Sequence, residues 1–230
     1  MLDLKKIRAI SLDLDDTLWP IWPTIEKAEK ALHDWLLAHA PGAAALFAGA
    51  TGLRDLREHV HTHCPDLRAD LSAVRLEMIR LALVRAGEVP SLAQPAFDVF
   101  FAQRQCVTLY DDALPALAFL SARFPLVSLS NGNADIARIG LGDYFRATVS
   151  ARDFGVAKPD PRIFVAAASA LDLAPEQVLH VGDDATLDTL GALNAGMQAA
   201  WLNRGDHPWP HEAQPHATVA TLTELCELLG

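Results

Sequence analysis

The sequence predicts an α/β protein, a doubly wound parallel sheet carrying an inserted all-helical domain. Three observations predict it. An apolar, β-favouring run of Ile7, Ala9, Ile10 and Leu12 ends abruptly in Asp13, Asp15, Asp16 and Thr17. From there to Thr108 apolar residues recur at helical spacing, and from Asp111 onward helix and strand patterns alternate. Burial of a central strand excludes charge, so carboxylates closing an apolar run mark a site at the strand's carboxyl edge, where open α/β sheets place their ligands. Alternating helices and strands imply parallel strands with right-handed crossovers.

The elements follow in order. After the first strand, Ile25, Ala28, Ala31, Leu32, Trp35 and Leu36 predict an amphipathic helix over 24–40, stopped by Pro41-Gly42. Leu71, Val74, Met78 and Leu81 form a stripe within a helix expected over 68–86, with Gly87 just past its end. A further helix is expected over 91–107, where Pro95 is tolerated only in the first turn. No strand pattern interrupts this stretch, so residues 18–108 read as a helical insert and residues 1–17 with 109–230 as the core domain. The core then offers helices over 112–123, 162–171 and 186–195, alternating with strands over 126–129, 147–150, 178–181 and 197–202.

Composition narrows the function classes. The chain has 230 residues, 51% of them hydrophobic and 21% charged, enough for a full core. Its net charge of −10 disfavours nucleic acid as a partner, and an anionic substrate would need local positive charge. Arg8 and Asp13 break the first apolar run, and glycines and Pro41 break the stretch from Ala40 to Leu53, so neither a signal core nor a membrane span is expected. Cys64, Cys106 and Cys226 are odd in number and unpaired in spacing, which fits a reducing, cytoplasmic location.

The polar residues at the expected strand ends carry the functional signal. Asp13, Asp15, Asp16 and Thr17 close the first strand; Ser130 and Asn131 close the second, offering a hydroxyl and backbone N–H groups to an anion. Lys158 lies in the loop VAKPDP, stiffened by Pro159 and Pro161. Asp183 and Asp184 end the strand HVGDD, with Asp188 just over one helical turn on. Each alone has a plain structural explanation as a cap, a turn or a solvated lysine. Their conjunction at successive strand ends does not.

The phrases DLDDT, SLSNG, KP and VGDDATLD, in that order, resemble the haloacid dehalogenase (HAD) superfamily of aspartate-nucleophile phosphohydrolases along the whole chain. The insert after the first motif is similar to the helical cap of one subgroup, and the longer phrases DLDDTLW, PLVSLSNGNAD and LHVGDDATLDTLGALNAGMQAAWLNR resemble bacterial phosphatases acting on flavin mononucleotide and a phosphorylated riboflavin precursor. The resemblance implies a Rossmann-like core, an aspartyl-phosphate intermediate on Asp13 and general acid–base work by Asp15. It also implies charge neutralisation by Lys158, and phosphate donors at Thr17, Ser130 and Asn131. Mg²⁺ would be held by Asp13, the backbone carbonyl of Asp15, and Asp183, with Asp184 and Asp188 orienting a metal water or Lys158.

Other features carry less. His59, His61 and His63 alternate near an expected helix end, followed by Cys64, and are read as a solvated terminus. The segment His207 to His211 is read as a surface loop. Trp19 and Trp22 fill the domain junction, with Trp19 also placed to present an aromatic face to a substrate ring. The expected partner is a small phosphorylated metabolite, with neither nucleic acid nor membrane involved. A phosphosugar phosphatase or mutase shares these residues. A 2-haloacid dehalogenase would leave Asp15 and the metal set superfluous, and a phospho-accepting receiver module lacks the insert.

Overall fold

The computed structural model describes the chain from residue 1 to residue 230, the side-chain environment of residues 49 and 50 excepted. Six parallel strands, β1 (Ala9–Leu12), β2 (Leu126–Ser130), β3 (Ala147–Ser150), β4 (Val178–Gly182), β5 (Gln198–Leu202) and β6 (Ala217–Val219), form one sheet in the order β3-β2-β1-β4-β5-β6. The chain leaves β1 toward one edge and returns to its other side with β4. That reversal is the topological switch point at which such sheets bind ligands. β1, β2, β4 and β5 are buried along their whole length, as expected of strands covered on both faces.

The described chain divides into two compact units, Met1–Pro20 with Thr108–Gly230, and Ile21–Val107. Leu18, Trp19 and Pro20 fall with the sheet rather than with the insert. The physical reason is hydrogen bonding: Leu18 N–H donates to Leu14 at 2.8 Å, Tyr110 N–H donates to Leu18 at 3.0 Å, and Asp16 N–H donates to Trp19 at 2.8 Å.

The Ile21–Val107 unit is all helical, with α1 (Ile21–His39), α2 (Pro41–Phe47), α3 (Gly49–His63), α4 (Leu71–Arg85) and α5 (Ala93–Arg104). α1 starts three residues before the expected position because Pro23 sits in its first turn, where no intrahelical N–H is needed. α4 starts at Leu71 rather than 68 because Asp70 caps it, accepting from Ser72 N–H at 2.9 Å and Ala73 N–H at 3.0 Å. Leu71 is exposed, whereas Val74, Met78, Ile79, Ala82 and Leu83 join the core with Leu32 and Leu36 of α1. Arg75, buried beside them, forms a two-pronged ion pair with Glu29 and lies 4.5 Å over the Phe100 ring. No described helix is long and apolar enough to cross a membrane. Cys64, Cys106 and Cys226 are free thiols.

In the sheet unit, α6 (Ala113–Ser121), α7 (Ile136–Ile139), α8 (Ala151–Phe154), α9 (Pro161–Ser169), a π-helical turn (Ala185–Leu190) running into α10 (Gly191–Asn194), and α11 (Leu222–Leu229) complete the layers. β6 escapes a periodicity reading because three residues, Ala217–Val219, cannot display a period. The π turn brings Asp188 back against the end of β4. A Cβ on Gly182 would lie 2.3 Å from Asp188 Cγ, so only glycine admits this approach. Gly182→Ala should therefore lower stability by about 1–3 kcal/mol, the usual cost of overpacking. Urea unfolding checks it, and a loss below about 0.5 kcal/mol would show that Asp188 moves aside freely.

Candidate active site

The loop after β1 fixes the first carboxylates. Asp13 N–H donates to Val181 at 2.9 Å, which sets Asp13 beside the end of β4. Asp16 adopts φ 58°, a left-handed turn that aspartate tolerates, and so ends the strand direction. Arg204 braces the turn from beyond β5. Its guanidinium grips Asp112 at 2.9 and 3.0 Å, donates to the Thr17 carbonyl at 3.2 Å, and lies 4.1 Å over the Tyr110 ring.

The strand ends converge on a cavity of about 180 Å³ lined by Asp13, Asp15, Asp16, Ser130, Asn131, Gly132, Lys158, Asp183, Asp184, Leu187 and Asp188. Six carboxylates face one lysine. Lys158 Nζ lies 2.5 Å from both Asp13 Oδ1 and Asp188 Oδ1, and all three side chains are buried. The lysine loop is itself held by Asn131, whose Oδ1 accepts from Lys158 N–H at 2.7 Å and whose Nδ2 donates to the Lys158 carbonyl at 3.0 Å. The Asn131 side chain is therefore engaged in clamping Lys158, leaving its backbone for any anion. Ser130 Oγ accepts from Gly132 N–H at 2.9 Å, and its own proton remains to be donated.

Thr17 lies buried beneath the cavity, its Oγ1 3.3 Å from both Asp13 Oδ2 and Asp183 Oδ1. One hydroxyl proton cannot satisfy two carboxylates at once. Burial pushes the Asp13 carboxyl well above the ordinary range, against the pull of Lys158 and with added repulsion from Asp188 and Asp183. Asp183 is pushed up to about 7 by burial first, then by Asp188 and Asp16. Burial would lower Lys158, but Asp13 and Asp188 outweigh it and hold the ammonium. Asp188 goes the other way: despite burial, Lys158 and His180 bring it down to about 2. The upward push on Asp13 and Asp183 has one cause besides burial, carboxylates that repel one another with a single lysine among them, so the site is short of positive charge.

That deficit, and an all-oxygen donor set, fit a hard divalent cation. Asp13, Asp183 and Asp188 offer oxygens within 4.8 Å of one another. Asp188 is already engaged, Oδ1 by Lys158 and His180 and Oδ2 by Asp184 N–H at 3.1 Å. Asp13 and Asp183 are thus the better direct ligands. Asp184 Oδ1 caps the π turn through Thr186 and Leu187 N–H at 2.8 and 2.7 Å, so its first task is structural rather than the orienting of a water.

Several supporting residues give no signal in the sequence. His180, fully buried on β4, is 3.2 Å from Asp188 Oδ1 and 3.0 Å from Ser11 Oγ, its partner in the β1–β4 register. Burial lowers its pKa against the pull of Asp188, so the ring is neutral: Nε2–H donates to Asp188 and Nδ1 accepts from Ser11. Trp201 Nε1 donates to the Asp183 carbonyl at 2.7 Å, and β4–β5 register sets it beside Gly182. Only strand pairing reveals either contact.

The structure corrects the reading of Trp19 as a ring-contact residue. It is fully buried and absent from the cavity lining, with its indole N–H donated to Asp15 Oδ1 at 2.9 Å. His59 and His63 share a face of α3, stacked 4.0 Å apart, because they are four residues apart; alternation alone hid that pairing. Among the described residues the one cluster of three potential metal-ligating side chains remains Asp13, Asp183 and Asp188. His211 Nε2 lies 2.8 Å from Thr186 Oγ1, and Trp209 packs edge-on against Trp201, so the 207–211 loop docks beside the π turn.

Comparison with known proteins agrees with this geometry. Residues 7–196 match the family model of haloacid dehalogenase-like hydrolases. The chain is 32% identical over 98% of its length to 5-amino-6-(5-phospho-D-ribitylamino)uracil phosphatase YigB of Escherichia coli (strain K12), and covers 98% of that protein. A crystal structure of a 2-haloacid dehalogenase from Pseudomonas syringae pv. Tomato DC3000 superposes with a TM-score of 0.92 at 36% identity, covering 97% of this chain and 98% of that one. The putative HAD-hydrolase YfnB from Bacillus subtilis, bound to magnesium, shares the fold with a TM-score of 0.68 at 20% identity, over 97% of this chain and 98% of that one. By its family match, and by a relative aligned along nearly its whole length, the chain belongs to the haloacid dehalogenase-like hydrolases.

Proposed function

We propose that this hydrolase is a Mg²⁺-dependent, cytoplasmic phosphomonoesterase that works through an aspartyl-phosphate on Asp13 and prefers a riboflavin-pathway phosphate. One observation carries the reaction class: Asp13 and Asp15, two residues apart, share a cavity with a buried ammonium and a further carboxylate, Asp183. The likeness to the Escherichia coli phosphatase supports the substrate class.

In the first half-reaction an Asp13 oxygen bonds to phosphorus while the ester P–O bond breaks, and Asp15 gives a proton to the departing alkoxide. In the second, Asp15 takes a proton from water as that water bonds to phosphorus and the Asp13–phosphorus linkage breaks, releasing phosphate. Lys158 holds Asp13 in line and neutralises the phosphoryl oxygens, to which the Ser130 hydroxyl and the Asn131 backbone donate. Asp13, Asp183 and the Asp15 carbonyl would hold Mg²⁺, which would supply charge neutralisation for the phosphoryl group. The cavity accommodates a phosphoryl group, an ion and a few waters, so the rest of a substrate must be contacted elsewhere. We read the Ile21–Val107 unit as a cap domain.

The likeness to a named 2-haloacid dehalogenase raises a second reading. A halide leaves without a proton, so Asp15 would have no task. A haloacid carboxylate would also enter a cavity of six carboxylates with one, already paired, lysine. Phosphate ester hydrolysis gives Asp15 a task, and a divalent cation held by the carboxylates would offset their charge toward the phosphoryl group.

A panel of flavin mononucleotide, the ribitylaminouracil phosphate, sugar phosphates and 2-chloropropionate tests these readings. Phosphate release should require Mg²⁺, vanish in EDTA and fall by at least about 10³-fold in Asp13→Asn, with no chloride release. Undiminished turnover by Asp13→Asn overturns the nucleophile. A ranking of the flavin-pathway esters no higher than the sugar phosphates overturns the substrate class.

The pKa shift of Asp183 predicts a pH dependence for the ion. Protons compete with Mg²⁺ for a carboxylate that titrates at about 7 in the metal-free protein. Because its folded pKa is raised above the unfolded value of 3.8, stability falls as pH rises toward about 7 and then levels off, and cation binding relieves the cost of the ionised form. The increase in Tm on adding Mg²⁺ should therefore grow from about pH 6 to about pH 8. A shift that stays constant or shrinks over that interval would remove Asp183 from the ligand set.

A further inference from the structure

The indole N–H of Trp19 meets a carboxylate oxygen in the loop that carries Asp13 and Asp15. Its side chain is fully buried, and Nε1 lies 2.9 Å from Asp15 Oδ1. The residue has little room to move. Asp15 and Trp19 pair as a short parallel bridge, the Trp19 carbonyl accepts from Asp16 N–H at 2.8 Å across the left-handed turn, and Leu18 beside it is held by Leu14 and Tyr110. Arg204 braces the Thr17 carbonyl within the same turn.

An indole N–H donates and never accepts. The oxygen that faces it must be an acceptor whether Asp15 is a carboxylate or a carboxylic acid. A proton on Oδ1 would leave that oxygen the poorer acceptor of the two, so the indole N–H favours the proton on Oδ2. We propose that Trp19 is the positioning residue of Asp15: its N–H pins Oδ1 and confines the transferable proton to Oδ2, the atom that serves the leaving group and then the water. The inference rests on the reading of Asp15 as the proton carrier and assigns what orients it. A carboxyl that rotates between two equivalent oxygens presents its proton correctly only part of the time, and a misplacement of about 1 Å at a reacting group can cost about 10²-fold.

Trp19→Phe removes the N–H and keeps a buried ring. The readout is kcat/KM, which reports the steps through leaving-group departure and excludes hydrolysis of the phosphoenzyme. It is compared for β-glycerophosphate, whose alkoxide needs a proton, and for p-nitrophenyl phosphate, whose phenolate does not. The expected loss is about 10–100-fold on the alkyl ester and less than about 3-fold on the aryl ester. Should the phenylalanine variant fail to fold, benzothienylalanine at position 19 keeps the bicyclic ring, removes only the N–H, and must show the same selective loss. In an Asp15→Asn background the position-19 change should add no further leaving-group selectivity. Equal losses on both esters, or none on either, overturn the positioning role. The parent reading has its own control: Asp15→Asn alone must lose the alkyl ester selectively. If it does and the position-19 variants do not, only the role of Trp19 falls; if it does not, the proton-carrier reading falls with it.

Discussion

Lys158 sits between two buried carboxylates, Asp13 and Asp188, and the rest of the site is arranged so that this ammonium can stay there. Charges 2.5 Å apart attract by several kcal/mol even at an effective dielectric near 20, yet desolvating the ions costs a comparable amount. The arrangement therefore depends on hydrogen bonds that hold each partner in place. Asn131 grips both backbone polar groups of Lys158, while His180 and Asp184 N–H fix the two oxygens of Asp188. Removing any one of these would loosen a buried charge.

The supports come from the interior of the sheet rather than from the cavity rim. Ser11 on β1 orients His180 on β4, Trp201 on β5 holds the Asp183 carbonyl, and Arg204 ties the turn at Thr17 to Asp112 before α6. Each link crosses between chain segments far apart in sequence, so the completed parallel sheet places the carboxylates before any ligand arrives. Preorganisation of this kind is what electrostatic catalysis requires, because dipoles and charges already in position need not reorganise as charge moves to the leaving group.

Much of this was legible in the sequence. The abrupt end of an apolar strand in Asp13, Asp15 and Thr17 marked the site, because burial tolerates charge only where a site uses it. Ser130, Lys158 and Asp183 followed, since strand ends recur at spacings that periodicity reveals. The helical character of the insert was equally plain, because local spacing sets helix faces. Boundaries moved where a side chain decided them, as Asp70 did in capping α4 and Pro23 in starting α1. The short β6, by contrast, had no period to display.

What the sequence determined by itself was the order of the strand-end motifs and the residue types available at each, since these follow from local burial pattern and chemistry. Tertiary structure alone decided which of those side chains meet, because register and crossover fix contacts between residues distant along the chain. It put His180 behind Asp188, set the Asn131 side chain on the Lys158 backbone rather than toward a ligand, and required glycine at 182. It also decided between the two readings of Trp19, packing and contact with a substrate ring: the indole is fully buried, and its N–H goes to Asp15.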